Sequence, residues 1–443
     1  MVLGAVTSNE EIEMSGDSGV DRRSMMAGTA FAMTAALSSP ISRIKRSETL
    51  GAVVDVRRFG ARGDGITDDA AAIQRAIDAA ASKAGGGVVR LSPGTYLVRY
   101  RPSDDGDGGS ALTLRSGVTI EGRDRARCIL KLADAQLGPG SYARIIASSG
   151  EISRAALRSF TVDGSRQGQG SFRDGFGGAA ILLGWKGRCV DVTVDKMIVR
   201  DAVGQGIMLQ GTVGTLSRNL SITNNLIERT SFIGIQCSQF DGIEITGNRI
   251  IDCRDNAIDV YGDDTDGQST VVTSHRAMIA DNVIRGCSIG VFFETVADCV
   301  ATRNVIAGCR TAGVRVNRIH GEPRNLTIVQ NRISGTPIGV AVGGDTGGVV
   351  IRENDIRGFD KAGIEFSYNV SHITASDNRF RPANAAVAII LGRPTVLGSN
   401  PEEQLAHIDV HDNDVPNGHD PARLFVNGYR RTVDVAIGRF TRR

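Results

Sequence analysis

Apolar and polar residues alternate in short runs along the chain, and one phrase recurs through its second half. A small residue opens a strand with apolar residues at every second position, and an Asn-x-aliphatic step follows about 15 residues later. Gly290-Val-Phe-Phe-Glu294, followed by Asn304-Val-Ile306, shows this phrase most clearly. A unit of about 23 residues with such strands cannot bury its apolar face alone, so it must stack on copies of itself. The pattern therefore predicts a solenoid.

Two sets of landmarks keep step along this repeat. The opening small residues are Gly206, Gly234, Ala257, Gly290, Gly313, Gly339, Gly363 and Ala386. The Asn landmarks are Asn225, Asn248, Asn282, Asn304, Asn331, Asn354, Asn378 and Asn413. Because the two series advance together, they indicate a true internal repeat and not chance composition.

The kind of solenoid follows from the alternating Ile and Val residues, as in Ile243-x-Ile245. Leucine-rich repeats have a similar length, but their Leu-x-x-Leu-x-Leu frame is missing. The pattern favours an all-β parallel β-helix of roughly 11–12 coils. A β-sandwich is the alternative, which is disfavoured because sandwich strands do not repeat their polar landmarks.

Two stacks should run along the coils of such a β-helix. The recurring Asn side chains should lie about 4.8 Å apart and bond to one another through their amides. Cys253, Cys287 and Cys309 occupy one shared position of the repeat. We expect these three thiols to form a short buried stack.

An amphipathic helix should cover the N-terminal end of the solenoid. Ile73, Ala76, Ile77 and Ala80 form one apolar stripe at helical spacing. Thr67 is the expected N-terminal cap of this helix, with two aspartates in its first turn. A solenoid exposes its core at each end unless another element covers it, which gives this helix a purpose.

The composition excludes several classes of protein. The formal net charge of the 443 residues is +2, with no basic field that would indicate a nucleic-acid partner. The seven cysteines form no Cys-x-x-Cys pair, so neither a disulfide framework nor a zinc site is indicated. The single tryptophan, Trp185, argues against a broad aromatic platform for sugars.

Residues 1–40 are predicted to be a leader that directs export. Arg22-Arg23-Ser24 precedes an apolar run from Met25 to Leu37, which resembles a Tat signal and is too short to span a membrane comfortably. The predicted location is therefore periplasmic or extracellular. A linker at 41–50 leads into a single β-helix domain at 51–443. Its cap and first coils should cover 51–100, its regular coils 152–385, and its C-terminal coils and cap 386–443.

The stretch after the linker resembles the N-terminal cap of pectate-lyase-superfamily proteins. Phe59-Gly-Ala-Arg-Gly-Asp-Gly65, Thr67-Asp-Asp69, the following helix and Gly-Gly-Gly-Val-Val-x-Leu-x-Pro-Gly-x-Tyr carry this resemblance over about 50 residues. It implies a right-handed parallel β-helix and a carbohydrate ligand. The superfamily includes polygalacturonases, polysaccharide lyases, mannuronan epimerases and phage tailspikes, so the resemblance does not specify a reaction.

The repeat frame sorts side chains into inward and outward positions. With the opening residue as position zero, positions one and three should face the interior, and positions two and four should face outward. The expected position-two column is Leu182, Met208, Gln236, Asp259, Phe292, Arg315, Ala341, Glu365 and Ala388. The expected position-four column is Gly184, Gln210, Ser238, Tyr261, Glu294, Asn317, Gly343, Ser367 and Ile390. Polar side chains that can act as acid, base or hydrogen-bond donor concentrate in the coils that open at 234, 257, 290 and 313.

Asp259 and Glu294 are the candidate catalytic pair. They lie on neighbouring coils and two residues apart along the strand, so their Cα atoms should be about 8 Å apart. Carboxyl groups at that spacing fit either a retaining or an inverting glycosidase. Tyr261 is the third catalytic candidate because it should lie beside Glu294. The candidate substrate-binding residues are Arg315, Gln236, Asn317, Asp263, Asp264 and Gln210. The alternative is that these outward groups only keep the sheet soluble.

Comparison with the motifs of individual families limits the reactions that the outward residues could catalyse. Tyr261-Gly-Asp-Asp264 resembles the Tyr-Gly-x-Asp-Pro-His motif of mannuronan epimerases, but no His follows it. In addition, the epimerase motif requires its Tyr before position zero of the coil, whereas Tyr261 lies at position four. Counted from the N-terminal cap, the coil that corresponds to the epimerase motif opens at Gly206. Its outward residues are Met208 and Gln210, which disfavours an epimerase. Of the polygalacturonase motifs, only Arg315-Val-Asn317 lies in frame. Asp252 to Glu294 also resembles inulin fructotransferases, which pair two carboxylates on a trimeric β-helix.

The sequence thus predicts an exported, glycoside-hydrolase-like enzyme that cleaves or rearranges glycosidic bonds in a polysaccharide or oligosaccharide. Asp259 and Glu294 would supply acid, base or nucleophile, with one carboxyl kept protonated by its neighbour's charge. The alternatives are a calcium-dependent polysaccharide lyase, a fructotransferase-type lyase and a non-catalytic glycan-binding surface protein. We expect no cofactor, with calcium needed only by a lyase, no metal ligands otherwise, no membrane span, and a monomer or homotrimer.

Overall fold

A computed structural model describes the fold of the chain. The structure describes residues 52–442 except 103–108, 139–141, 173–177, 213, 263–273, 319–322, 368, 384–385, 392–404, 418–424, 428–431 and 439. The predicted leader at 1–40 and linker at 41–50 lie outside the described residues. Leu50–Arg443 forms one compact unit.

The strands of the described chain stack into three parallel sheets, named here A, B and C. The chain passes from sheet A to sheet B and then to sheet C in each regular coil, so neighbours within a sheet come from successive coils. This connectivity is that of a parallel β-helix. The 12 strands of sheet C agree with the predicted number of coils.

Sheet A has 15 strands. They are Ala52–Asp55, Gly87–Leu91, Val118–Gly122, Ile152–Arg158, Cys189–Asp195, Ser217–Thr223, Phe240–Thr246, Ser274–Ala280, Val296–Ala297, Val300–Thr302, Arg324–Val329, Gly347–Arg352, Val370–Ser376, Leu405–His411 and Thr432–Ile437.

Sheet B has 14 strands, most of them short. They are Asp64–Asp68, Gly94–Val98, Cys128–Leu132, Thr161–Asp163, Ile198–Arg200, Leu226–Glu228, Arg249–Ile251, Val283–Arg285, Val305–Ala307, Arg332–Ser334, Asp355–Arg357, Arg379–Arg381, Asn413–Val415 and Phe440–Arg442.

Sheet C carries the candidate site. Its strands are Leu112–Thr113, Arg144–Ser149, Ala179–Trp185, Gln205–Gln210, Ile235–Ser238, Ile258–Tyr261, Ile289–Glu294, Ala312–Asn317, Ile338–Val342, Ala362–Phe366, Val387–Leu391 and Phe425–Asn427.

The interior of the coils is filled by the residues that the period-two pattern placed there. On three successive strands of sheet C, positions one and three are buried in the hydrophobic core: Ile258, Val260, Val291, Phe293, Val314 and Val316. Branched and aromatic side chains suit these positions because they pack well on a pleated surface. These residues belong to one continuous core that runs through the stacked coils, as the solenoid prediction requires.

The Asn landmarks form the predicted ladder between sheets A and B. Asn304 illustrates the pattern, because its backbone N–H and its Nδ2 both donate to Oδ1 of Asn331, at 3.0 and 2.9 Å. Its Nδ2 also donates to the backbone oxygen of Ile279. The same two contacts with the next Asn recur from Asn225 to Asn378, and all eight side chains are buried. Each side chain thus satisfies buried backbone groups at a corner of the coil.

The cysteine stack is also present. Cys253, Cys287 and Cys309 are buried and carry free thiols. The Cys253 thiol donates to the backbone oxygen of Ile251 at 4.0 Å, and the Cys287 thiol donates to that of Arg285 at 3.5 Å. Burial raises the pKa of Cys309 to about 12, which keeps that thiol protonated and unreactive at neutral pH.

The N-terminal helix extends from Ala70 to Ala81 and buries the predicted stripe. Two short 3-10 helices, Val56–Phe59 and Arg166–Gln169, complete the helical elements of the described chain. The prediction that Thr67 caps the long helix was wrong. Its hydroxyl donates to Oδ2 of Asp64 at 2.8 Å, because residues 64–68 form a strand of sheet B instead of the first helical turn. Asp68 Oδ1 accepts the N–H of Ala70.

The predicted opening residue of one C-terminal coil needs a second correction. Ala362 pairs with Val387 and Ile364 with Ile389, so Ala388 lies opposite Gly363 where Ala386 was expected. The position-two column therefore continues from Glu365 to Ile390 instead of Ala388. A shift of two residues leaves every side chain on the same face of the sheet, so the apolar alternation cannot reveal it.

Candidate functional site

The outer face of sheet C presents the two columns that the repeat frame predicted. In the position-two column, Gln236 pairs with Asp259, Asp259 with Phe292, and Phe292 with Arg315. In the position-four column, Gln210 pairs with Ser238, Ser238 with Tyr261, Tyr261 with Glu294, and Glu294 with Asn317. The structure therefore brings seven of the nine predicted site residues to one face across five strands.

Asp259 and Glu294 lie on neighbouring strands of this face, as predicted, but they differ in exposure. Glu294 is half-buried, whereas Asp259 is only 3% exposed. Nδ2 of Asn256 donates to Oδ2 of Asp259 at 3.1 Å, which fixes the carboxyl group from within its own coil. Both acids thus belong to the outward columns, but Asp259 is nearly covered and Glu294 is accessible.

A group of buried amides and a hydroxyl surrounds Asp259. Nε2 of Gln205 donates to Oε1 of Gln236 at 2.9 Å, and both side chains are buried. Among the described residues, four buried oxygens near this contact have no hydrogen-bond partner: Oε1 of Gln205, Oε1 of Gln210, Oγ of Ser238 and Oδ1 of Asn256. Gln210 and Ser238 belong to the position-four column, and Gln205 and Asn256 bond to the position-two column, so these oxygens can accept from a ligand or a water molecule bound at this face.

Gln205 and Asn256 were missed by the sequence analysis. Each of them directly precedes the opening residue of its coil. The repeat frame assigned only positions one to four to the interior or the exterior, so it made no prediction for this position. Ile233 and Ile289 occupy the same position in neighbouring coils, so a polar residue there was a detectable exception. The signal was present in the sequence, but only the structure shows that these amides reach Gln236 and Asp259.

The half-buried part of the face lies on the strands Ile258–Tyr261, Ile289–Glu294 and Ala312–Asn317. Tyr261 and Glu294 are direct register partners, about 4.8 Å apart at their Cα atoms. The Arg315 guanidinium lies 5.6 Å from the ring centre of Phe292. The face thus offers a phenol, a carboxylate and a cation held against an aromatic ring, a combination suited to an acidic sugar.

Asp263 and Asp264 lie outside the described residues, so their predicted role stays a prediction. Within the described ranges, no three His, Cys, Asp or Glu side chains come together as a metal-binding cluster. In the same part of the chain, each helix is too short or too polar to cross a lipid bilayer.

Two family models match the chain. One, described as rhamnogalacturonase A/epimerase, pectate lyase-like, matches residues 53–150 and so includes the N-terminal cap. The other, described as a right handed beta helix region, matches residues 268–401 and so includes much of the repeat. Both agree with the coil order of the three parallel sheets. The chain is a right-handed parallel β-helix whose first coils are similar to pectate-lyase-like proteins.

This β-helix is similar to polysaccharide-modifying enzymes of Azotobacter vinelandii. It is 39% identical over 158 residues to the mannuronan C5-epimerase AlgE4, which covers 34% of the chain and 27% of that enzyme. It is 38% identical over 149 residues to alginate lyase 7, covering 33% of the chain and 17% of the lyase. The matched stretch is thus well under half of either relative's length.

A solved structure shows the same fold over most of this β-helix. The A-module of the mannuronan C5-epimerase AlgE6 of Azotobacter vinelandii superposes with a TM-score of 0.67 and 20% identity. The superposition covers 88% of the chain and 99% of that module. At this identity the likeness establishes the fold, while the reaction depends on the side chains of the outer face.

Proposed function

We propose that this β-helix is a carbohydrate-active enzyme that cleaves glycosidic bonds in a polysaccharide containing uronic acids. The observation that carries the proposal is the register of sheet C, which places Asp259, Tyr261, Glu294 and Arg315 on one face of three successive strands. The similarity to a mannuronan epimerase and an alginate lyase supports a uronate substrate.

In the proposed reaction, Glu294 protonates the glycosidic oxygen of the leaving sugar. Its half-buried position lets it contact a chain lying along sheet C. Asp259 supplies the second carboxylate, which either activates a water molecule or attacks the anomeric carbon. Because Asp259 is nearly inaccessible, this step requires the outer face above it to open when the substrate binds. The chemistry uses side chains alone and needs no cofactor.

Substrate binding is assigned to the polar residues around this pair. Arg315 would hold a sugar carboxylate through two hydrogen bonds, and its contact with the Phe292 ring limits the orientations of the guanidinium. Asn317 and Gln210 would bind hydroxyl groups at either end of the position-four column. Gln236, with its amide already bonded to Gln205, would bind a hydroxyl beside Asp259.

A second candidate function is elimination at a uronate, the reaction type of a polysaccharide lyase. The observation that favours it is the direct pairing of Tyr261 with Glu294, which places a phenol and a carboxylate side by side. One group could remove the proton next to the sugar carboxylate while the other protonates the leaving oxygen. Arg315 would stabilise the charge that develops on the sugar carboxylate.

One assay separates these reactions. The purified protein is incubated with mannuronan, alginate, polygalacturonate and a neutral mannan, and reducing ends and ultraviolet absorbance are followed together. Hydrolysis releases reducing ends without absorbance, whereas elimination produces both because it leaves an unsaturated sugar. Addition of a chelator tests whether an eliminating activity requires calcium. An epimerase would give neither signal, so only binding with neither signal and with an unchanged uronate composition of the polysaccharide would identify a non-catalytic glycan-binding protein.

The location and assembly of the protein remain predictions from the sequence. We expect the leader at 1–40 to direct export through the Tat pathway, which transports folded proteins. Mass spectrometry of the mature N-terminus would test this, and light scattering would distinguish a monomer from a homotrimer.

A further inference from the structure

A second cleft lies on the same β-helix, at the N-terminal end of sheet C. Its volume is about 370 Å³, and it lies between the capping helix and the first strands of the sheet. Its lining includes Gln74, Arg101, Arg115, Arg144, Ser148 and Trp185. Among the described residues, the lining includes three arginines and no carboxylate. Two of these arginines are paired with Asp68 and Asp78 outside the lining, so an anionic ligand would take the place of those carboxylates.

Arg144 and Trp185 form the floor of this cleft. The guanidinium of Arg144 lies 4.4 Å from the Trp185 ring centre and 5.5 Å from that of Tyr142. Arg144 is 3% exposed, so its charge is held in a nearly dehydrated environment where electrostatic attraction is strong. The indole also packs against Ala179, Leu182 and Met208 on the outer face of sheet C. Trp185, the only tryptophan of the chain, is therefore held in a fixed position.

Arg101 and Arg115 add two positively charged side chains to the lining of the cleft, and both are exposed to solvent. The side chain of Arg101 is 60% exposed and lies 3.8 Å from a carboxylate oxygen of Asp68. The side chain of Arg115 is 50% exposed and lies 3.1 Å from Asp78. Exposed ion pairs of this kind contribute little to stability, so either arginine can turn to a ligand carboxylate at low cost.

The cleft is aligned with the candidate site but separate from it. Trp185 lies on the third strand of sheet C and Glu294 on the seventh, so four strand spacings of about 4.8 Å separate them, or about 19 Å along the axis. Neither Glu294 nor Asp259 lines the cleft. A polysaccharide that follows the outer face would therefore occupy both places only if it were several sugar units long.

We propose that this cleft is a remote subsite that binds a hexuronate unit of an acidic polysaccharide. The sugar packs against the accessible part of the half-buried Trp185 side chain, its carboxylate pairs with Arg101 beside the fixed charge of Arg144, and Ser148 and Gln74 bond its hydroxyls. The proposal rests on the proposed function for its role in catalysis, since a remote subsite makes the enzyme prefer long acidic chains.

The single tryptophan allows a direct test. Trp185 fluorescence of the full chain, carrying Glu294→Gln so that the ligand is not consumed, is titrated with mannuronan oligosaccharides and with neutral mannan oligosaccharides. We expect a saturable change with the acidic ligand alone, and weaker binding at high salt. Arg101→Ala should weaken this binding about tenfold, because one charge-assisted contact is lost.

Arg303→Ala is the matched control. The Arg303 side chain is 53% exposed and pairs with Asp281 at 2.7 Å. The substitution therefore removes the same charge from a similar ion pair away from the cleft. Its binding should equal that of the protein without this change. Binding detected by calorimetry with no fluorescence change, or equal binding of neutral mannan, would overturn the proposal.

The outcome is separable from that of the proposed function. A fluorescence response that Arg101→Ala weakens, in a protein that cleaves no polysaccharide, would support the subsite and reject the catalytic assignment. Cleavage of mannuronan with a silent Trp185, and with equal rates for Arg101→Ala and Arg303→Ala on long and short chains, would reject the subsite while the catalytic assignment stands.

Discussion

Tyr261 and Glu294 are register partners on adjacent strands of sheet C, although they are 33 positions apart in the sequence. Asp259 lies on the same strand as Tyr261 and pairs with Phe292. The carboxylate pair is therefore diagonal, with Tyr261 two residues after Asp259 in the sequence and directly beside Glu294 in the sheet. This arrangement determines which substitutions should affect activity.

The first prediction concerns the two acids. Glu294→Gln and Asp259→Asn should each lower turnover by about 10²–10⁴-fold, because an amide can neither transfer the proton nor attack the anomeric carbon. Thermal unfolding should change little, since both replacements keep the shape of the side chain. Initial rates of reducing-end release on the preferred polysaccharide measure the effect.

Glu365→Gln provides the matched control for these variants. Glu365 is half-buried on the outer face of sheet C, three strands beyond Glu294. Its substitution should leave the rate unchanged. Full activity in both Glu294→Gln and Asp259→Asn would end the catalytic assignment.

The second prediction concerns the Asn ladder. Asn331→Ala should lower the free energy of unfolding by about 2–4 kcal/mol, because it leaves the buried N–H groups of Asn304 without their acceptor. Urea denaturation followed by circular dichroism measures this loss. Glu244→Ala, at an exposed position of sheet A, should change stability by less than about 0.5 kcal/mol. Equal effects of the two substitutions would show that the ladder contributes little.

The third prediction concerns the small residue that opens each coil. A Cβ atom at Gly313 would lie 2.4 Å from Cγ2 of Ile333 and 2.7 Å from the backbone oxygen of Gly339. Gly313→Ala should therefore destabilise the protein by about 1–3 kcal/mol through overpacking. Gly138→Ala is the control, because a Cβ atom there meets nothing within 4 Å. A Gly313→Ala protein as stable as Gly138→Ala would contradict the close approach of the coils.

The fourth prediction concerns stability at high pH. Burial raises the pKa of Cys189, Cys299 and Cys309 from the usual 9.0 to about 12. Between these values the unfolded chain releases thiol protons that the folded chain retains, so folding stability should fall as pH rises from 9 to 12. Each thiol should contribute about 1.4 kcal/mol per pH unit in this window.

Cys309→Ala isolates one of these contributions. Its difference in unfolding free energy from the unmodified protein should be constant below pH 9. Above pH 9, the unmodified protein should lose its advantage over the variant. A difference that is independent of pH up to 12 would show that the folded Cys309 thiol ionises normally.

Much of the architecture could be predicted from the sequence because each cause is local. Period-two alternation assigns Ile258 and Val260 to the interior and Asp259 and Tyr261 to the exterior without reference to other coils. The recurring Asn residues predict a ladder because equal positions in successive coils must stack. The two outward columns from Gln236 to Arg315 and from Gln210 to Asn317 followed from this frame.

Other features depend on the tertiary structure. The near-complete burial of Asp259 and its bond to Asn256 depend on what packs over the sheet, which alternation does not encode. The opening of a late coil at Ala388 instead of Ala386 was hidden because a two-residue shift preserves the faces. The cleft around Trp185 brings together a helix, a loop and three strands, and Arg144 reaches the indole only through that packing. The sequence by itself thus determined the coil and the direction of its side chains, whereas exposure and contacts across elements were decided by the folded chain.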